Sequence, residues 1–329
     1  MRWWSKLLVR LAARGRAAGK QIRFALIGKR GVRLGWKLLA AGLLYALWAH
    51  LGRYGLILGF SKLFEVWNLD ATTLQKAPGW AQFLAAEYGA IVSILLGLGT
   101  MGLAALLIRL LCRGRIEGMR IRDLCGGTLL GAAAAVVPAL IFLWTDSMRP
   151  YSSLPDLNAE IFFMLPVFFL SAWAQEWFAR SLAMQIIEDH VPRWAGRLIA
   201  VIFFLAVADG YTYGPLGTVN MALVGMFLLL LHEKKGAGAA VGFYFAWSYG
   251  FSALFAFPGG TAVSHPLFQL YSVSEDFLTG GEGGMICGFA ATLILLAGNI
   301  YLAGILPLLK EQIHRISKKN SEKKTRPQP

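Results

Sequence analysis

Residues 88–108 read YGAIVSILLGLGTMGLAALLI and contain no charged side chain. A helix needs about 20 predominantly apolar residues to cross the hydrocarbon core of a bilayer, so this stretch is long enough to span one. Four more charge-free windows have the same character, at 124–145, 210–231, 236–264 and 283–309. Three further apolar candidates carry a charge or are short, at 35–58, 160–187 and 194–209. The pattern predicts an all-α, polytopic membrane protein with about eight transmembrane helices.

The composition supports this fold class. Only 15% of the 329 residues are charged, whereas an ordinary soluble domain carries about 25%. The shortage excludes a soluble enzyme with a hydrated shell, and the 57% hydrophobic content excludes a disordered chain. The three cysteines are odd in number and have no CxxC spacing, so neither a disulfide framework nor a zinc ribbon is predicted. We expect no metal and no other cofactor.

The basic residues predict the orientation in the membrane. Lys and Arg number 32 against 18 Asp and Glu, which gives a net charge of +14. With a cytoplasmic amino terminus, the inner segments 1–37, 112–122, 180–197, 232–236 and 310–329 hold 27 Lys and Arg, and the outer loops hold 4. Cytoplasmic loops are enriched in these residues, so both termini are predicted to be cytoplasmic. The surplus is then a topology signal, and we expect no nucleic-acid partner.

The same reasoning divides the chain into four parts. Residues 1–34 contain no acid and are predicted to form a basic amphipathic helix on the inner interface of the lipid bilayer. Residues 35–119 hold two transmembrane helices, and 120–309 form the core. Residues 310–329 are a basic cytoplasmic tail.

Ionisable groups inside a span are costly and commonly functional. Glu176 and Arg180 lie at i and i+4 of the fourth predicted span, so their side chains share one face. They form either an ion pair that stabilises the helix or part of a site. Asp209, at the end of the fifth span, is either a deeply placed acid or a residue at the outer mouth that faces water.

The seventh predicted span carries Tyr244 and Ser248 on one face, again at i and i+4. Two interpretations stay open for these hydroxyls. They serve either as hydrogen-bond donors of a site or as ordinary contacts between helices.

The order and spacing of these groups resemble the CPBP family of intramembrane peptidases, which includes type II CAAX prenyl endopeptidases and bacteriocin-immunity proteins. The family motif E-E-x-x-x-R corresponds to Gln175-Glu176-x-x-x-Arg180. The motif F-x-x-x-H corresponds to Phe204 through Ala208, or to Leu205 through Asp209, and H-x-x-x-N corresponds to Tyr244 through Ser248, with Trp247 between them. Asn220 before Gly225, and the loop 278–284, extend the resemblance over about 120–309.

The resemblance implies roles for these positions. Those that match catalytic residues are Gln175, Glu176, Asp209, Tyr244 and Ser248, and those that match orienting or structural residues are Arg180, Phe204, Trp247 and Asn220. In the family, paired glutamates and a histidine activate water, and a histidine and an asparagine stabilise the oxyanion. Here Gln175 cannot ionise, no histidine occupies either motif place, and the five histidines elsewhere, His232 among them, form no spaced pair. Weak or no proteolysis is therefore expected.

Three functions stay open. The first is a non-catalytic membrane scaffold or regulator that binds a peptide, a lipidated peptide or a membrane protein. The second is an active intramembrane endopeptidase, with Glu176 as base, Asp209 as its proton partner, and Tyr244 and Ser248 as oxyanion donors. The third, a transporter or lipid-handling protein, is disfavoured because no inverted repeat is visible. The resemblance implies the bacterial inner membrane.

Overall fold

The computed structural model describes residues 34–69, 73–112, 118–152, 154–187, 191–260, 263–273, 277 and 279–304, and the backbone alone of 27–28 and 31–32. Its main helices are α1 (Leu34–Val66), α2 (Gly79–Cys112), α3 (Ile121–Trp144), α4 (Glu160–Ile187), α5 (Arg193–Val207), α6 (Gly214–Lys235), α7 (Ala237–Tyr249) and α8 (Phe289–Ala303). Short 3-10 turns lie at Leu74–Lys76, Gly210–Tyr213, Gly281–Gly283 and Met285–Cys287. Strand β1 (Ile27–Gly28) pairs antiparallel with β2 (Gly31–Val32), and β3 (Met148–Pro150) with β4 (Leu270–Ser272).

The all-α fold class is confirmed within the described residues. Five helices there are long and apolar enough to cross a membrane, namely α1, α2, α3, α4 and α6, which indicates a membrane-embedded protein. Helices α5 and α8 have 15 residues each, and α7 has 13 before a π-helical turn continues it to Leu254. The number of eight spans therefore stays a prediction. The predicted amino-terminal arm, apart from the backbone of 27–28, 31–32 and residue 34, and the whole predicted tail lie outside the described residues.

Helices α1 and α2 extend beyond their predicted windows, and in three other windows turns occupy part of the predicted span. Helix α6 begins at Gly214 rather than 210, because Asp209 has a left-handed backbone (φ 49°) and a 3-10 turn follows it. The helical segment of α7 ends at Leu254, short of the predicted 264. Helix α8 begins at Phe289, after two 3-10 turns that occupy the start of the window 283–309.

Helices α3 and α7 are packed backbone to backbone along a glycine seam. Gly127 and Gly131 on α3 and Gly238 and Gly242 on α7 form it. A Cβ added to Gly131 would lie 2.2 Å from the carbonyl oxygen of Phe243, and one added to Gly242 would lie 2.2 Å from that of Leu124. Glycines four residues apart on both helices allow this approach, as in other membrane helix pairs.

Helix α4 is central to the bundle, where it packs against α2 on one side and α7 on the other. Helix α6 packs against α5, α7 and α8. The core between these helices includes Phe178, Phe204, Val224, Leu228 and Tyr244. Large apolar side chains such as Leu129, Trp144 and Ile202 are exposed, as expected of a lipid-facing surface.

Helices α3, α5 and α7 begin, and α4 and α6 end, at one end of the bundle. We call it the basic end, defined by Arg120, Arg193, Lys234 and Lys235, which line one cavity there.

Candidate functional site

Glu176 is the centre of the polar cluster inside the bundle. It begins a π-helical segment of α4, Glu176–Leu182, and π-turns of this kind are frequent at functional sites. Its side chain is 0% exposed. One carboxylate oxygen accepts a hydrogen bond from Nε of Arg180, and the other lies 2.5 Å from Nδ1 of His232. The predicted pairing of Glu176 with Arg180 on one face is confirmed.

His232 is a partner that the sequence did not indicate. It lies in the last turn of α6, and 14% of its side chain is exposed. It lines a cavity of about 990 Å³ at the basic end. The imidazole therefore lies between the fully buried carboxylate of Glu176 and the cavity at the basic end. Glu176 and His232 are 56 positions apart, and no sequence spacing predicts a contact over that distance. The one signal in the sequence was that His232 is an ionisable residue in an apolar helix.

Arg180 is held by Glu176 and by an aromatic ring. Its guanidinium lies 5.2 Å from the centre of the Phe204 ring of α5, a cation–π distance. The side chain is 1% exposed. Within the described part of the chain, neither terminal nitrogen of the guanidinium has a hydrogen-bond partner. Phe204, predicted as an orienting residue from the resemblance, thus contacts the charged cluster directly.

Tyr244 and Ser248 lie on a different cavity from His232. Together with Trp247 and other residues of α6 and α7, they line a space of about 60 Å³, which holds only a few water molecules. The Tyr244 hydroxyl faces the polar groups of Gln175 and Ser248. Gln175 also donates from Nε2 to the Ser171 hydroxyl at 3.4 Å. The structure therefore brings Gln175, Tyr244 and Ser248 together, on the α4–α7 side of the cluster.

Asp209 lies just beyond the end of α5, where its side chain is exposed. The two oxygens of the Glu176 carboxylate contact Arg180 and His232. The structure thus does not pair Asp209 with Glu176, and the exposed position agrees with the interpretation of Asp209 as a residue of the mouth. Ala208, the alternative for the second motif, ends α5 and is half-buried.

Two further residues form hydrogen bonds between different helices of the bundle or their ends. Tyr45 of α1, which the sequence did not indicate, donates its hydroxyl to the Val207 carbonyl at 2.8 Å and packs its ring 4.8 Å from that of Phe178. Asn220 is fully buried and donates to the carbonyls of Ile286 and Gly288 at 2.7 and 3.1 Å. Asn220 therefore joins α6 to the start of α8, which is a structural role.

The chemistry of the site is that of an orienting carboxylate. Both oxygens of Glu176 are engaged, so it fixes Arg180 and His232. In the part of the chain that the structure describes, no group of three or more His, Cys, Asp or Glu side chains is placed to hold a metal ion.

Comparison of the chain with family models, with curated proteins and with solved structures found no match.

Proposed function

We propose that this chain is a CPBP-like membrane protein that binds a peptide or membrane partner without cutting it. The observation that carries the proposal is the state of Glu176, which is fully buried and engaged at both oxygens by Arg180 and His232. A general base must come within about 2.6–3.2 Å of the proton donor it serves. A carboxylate without a free, accessible oxygen does not meet that requirement.

The other motif positions support the same conclusion. Gln175 has an amide where the family has a carboxylate, and the partners of Glu176 are Arg180 and His232 rather than Asp209. Tyr244 and Ser248 face a cavity of about 60 Å³, which is far too small for a peptide. Removal of a base or of an oxyanion donor commonly costs a factor of about 10² to 10⁴ in rate, so several such losses leave little activity.

We place the protein in a bacterial inner membrane, with both termini in the cytoplasm and about eight spans. The membrane is inferred from the family resemblance, and the orientation from the 27 Lys and Arg of the inner segments. In this orientation the basic end faces the cytoplasm. The partner is a membrane protein or a lipidated peptide that reaches the bundle from the bilayer.

One observation favours a second candidate, an intramembrane hydrolase that uses His232 in place of the family histidines. His232 lines the cavity of about 990 Å³, and its Nδ1 is held by a buried carboxylate. An imidazole oriented by a carboxylate is the arrangement of many hydrolytic bases. In this candidate His232 is the base and Glu176 orients it, which differs from the predicted roles of Glu176 and Asp209.

The test uses the full-length protein reconstituted in liposomes. A fluorescent farnesylated CAAX peptide and the same peptide without lipid are incubated at high protein loading, and both cleavage and anisotropy are measured. We expect binding of the lipidated peptide and no cleavage above that of Glu176→Gln. Cleavage that Glu176→Gln and His232→Ala both abolish, while circular dichroism shows both variants to be folded, would establish the hydrolase instead. If neither peptide binds nor is cut, the peptide-binding proposal is wrong.

A further inference from the structure

We propose that the cavity at the basic end binds a phosphate group. This inference goes beyond the proposed function and does not rest on it. The cavity is bounded by the first turns of α3, α5 and α7 and the last turns of α4 and α6, and it measures about 990 Å³. That volume is at the upper end of the range for small-molecule sites, so it accommodates a phosphate together with the group that carries it.

The charge of the cavity is the first argument. Among the described residues, its lining holds five basic residues, Arg120, Arg193, Arg197, Lys234 and Lys235, and two acids, Asp123 and Glu233. Glu233 is already paired with Arg197, through contacts of 3.1 and 2.6 Å. Between residues 118 and 260, as far as they are described, no ion pair engages the other four basic side chains. Four available cations thus face one available acid.

The second argument is the direction of the helices. Helices α3, α5 and α7 all begin at this cavity, and the residues before them (Arg120, Pro192 and Gly236) make no side-chain capping hydrogen bond. The first turn of a helix has unsatisfied N–H groups and a partial positive charge, which together favour an anion. Three such helix ends lie at this cavity, against the two carboxyl-terminal ends of α4 and α6, whose partial charge is negative, so the ends that favour an anion are the majority.

The third argument is a buried hydroxyl. Ser181 of α4 lines the cavity and is 3% exposed, and its Oγ has no hydrogen-bond partner among the described residues. A buried polar group without a hydrogen-bond partner is destabilising. Because Oγ is itself buried, a phosphate oxygen would accept the hydrogen bond of Ser181 only after a small shift of the cavity wall.

The ligand class follows from these donors. Arginine and lysine side chains with helix N-termini are the usual groups that bind phosphate, with arginine contributing paired N–H donors. The phosphate belongs either to a lipid headgroup or to a water-soluble phosphate compound, and both present the same anion. Basic pockets between membrane helices commonly bind phosphorylated headgroups, so a lipid is one of the two sources to test.

The experiment measures ligand binding to the full-length protein in a neutral detergent. The lipid probe is dioctanoyl phosphatidic acid, compared with dioctanoyl phosphatidylcholine. The soluble probe is inorganic pyrophosphate, compared with chloride at the same ionic strength. We expect a saturable increase in melting temperature with at least one phosphate probe and none with its comparison compound. Phosphatidic acid alone identifies a headgroup site, and pyrophosphate identifies a site for soluble compounds.

Three variants test the assignment to this cavity. Arg193→Gln and Lys234→Gln each remove an exposed cation of the lining, and we expect each to weaken binding about tenfold, the typical effect of one charge-assisted hydrogen bond. Arg122→Gln is the matched control, because Arg122 is an exposed cation beside Arg120 that does not line the cavity. Ser181→Ala, which leaves the charges unchanged, should also weaken binding.

Two results would overturn the proposal. The first is the absence of saturable binding by either phosphate probe to the folded protein. The second is an equal loss of affinity in Arg122→Gln, in Arg193→Gln and in Lys234→Gln, because that would be a general effect of surface charge.

Discussion

Glu176 connects two helices through a single carboxylate, since Arg180 is on α4 and His232 is on α6. Removing one partner of a buried charge pair leaves the other partner charged, buried and unsatisfied, which is more costly than the pair itself is stabilising. Because Arg180 is 1% exposed, it cannot turn to water when its partner is lost. Glu176 thus connects α4 to α6 through its contact with His232, whatever the protein binds.

Replacement of Glu176 by Ala should therefore lower the free energy of unfolding by about 3–5 kcal/mol. The matched control is Glu65→Ala, because Glu65 forms an exposed pair with Lys62 at 2.7 Å and such pairs contribute at most about 1 kcal/mol. Thermal unfolding in detergent measures both. Equal melting temperatures for the two variants would contradict a buried, mutually dependent Glu176–Arg180 pair.

A second prediction at this scale concerns pH. Asp146 follows α3 and accepts a hydrogen bond from Nε of Arg149 at 2.7 Å, and this bond lowers the pKa of Asp146 from its usual value. A lowered pKa in the folded state contributes stability above the unfolded pKa of about 3.9, and that contribution is lost as the pH falls through the folded pKa.

Asp146→Asn should therefore lower the melting temperature slightly at pH 7 and have no effect below the lowered pKa. The effect is small because the pair is exposed. Asparagine tolerates the left-handed backbone of this position (φ 57°), so the variant isolates the charge. Melting curves of the wild type and the variant from pH 7 to 3 measure it. A difference that grows as the pH falls would contradict the sign.

At the scale of elements, the glycine seam determines how closely α3 and α7 approach. The carbonyl of Phe243 lies where a side chain at position 131 would begin. Close backbone approach is favourable between membrane helices, because lipid and apolar side chains are equivalent surroundings and packing becomes the main source of attraction. Any side chain at Gly131 must therefore separate the two helices.

Gly131→Ala should destabilise the protein by about 1–3 kcal/mol, the usual effect of overpacking. Gly126→Ala is the control on the same helix, because nothing lies within 4 Å of the Cβ it would add. Alanine favours helix more than glycine does, so the control should be neutral or slightly stabilising. Unfolding of both variants, followed by circular dichroism, tests the difference. Equal stability would mean that the seam does not form.

The helices could be predicted from the sequence because apolar composition is a local property. Each of the helices α1 to α8 overlaps one predicted window, although the ends differ because of turns such as the one at Asp209. The pairing of Glu176 with Arg180 was also predictable, since it needs only the geometry of one helix. The contact between Glu176 and His232 was not, because it depends on where the tertiary fold places α6 relative to α4.

At the scale of the whole molecule, the distribution of charge predicts one orientation. The test uses a chain whose natural cysteines are replaced by serine. One cysteine is introduced at Asp156 or at Lys235, two exposed positions that the predicted topology places on opposite sides of the membrane. A membrane-impermeant maleimide should label Asp156→Cys in intact cells and Lys235→Cys only after permeabilisation. Arg122→Cys should behave like Lys235→Cys. The reverse pattern would contradict cytoplasmic termini.

The attachment of Asn220 has a consequence for biosynthesis. Its amide donates to carbonyls more than sixty residues further along the chain, and it accepts a hydrogen bond from Thr292. While the ribosome is still making those residues, α6 holds an amide without these partners, and such a group is unfavourable in hydrocarbon. Helix α6 should therefore stay beside the insertion machinery, or hydrated, until residues 286–292 have been made. A truncation before residue 286 should leave α6 accessible to a protease or a thiol reagent that the full chain excludes.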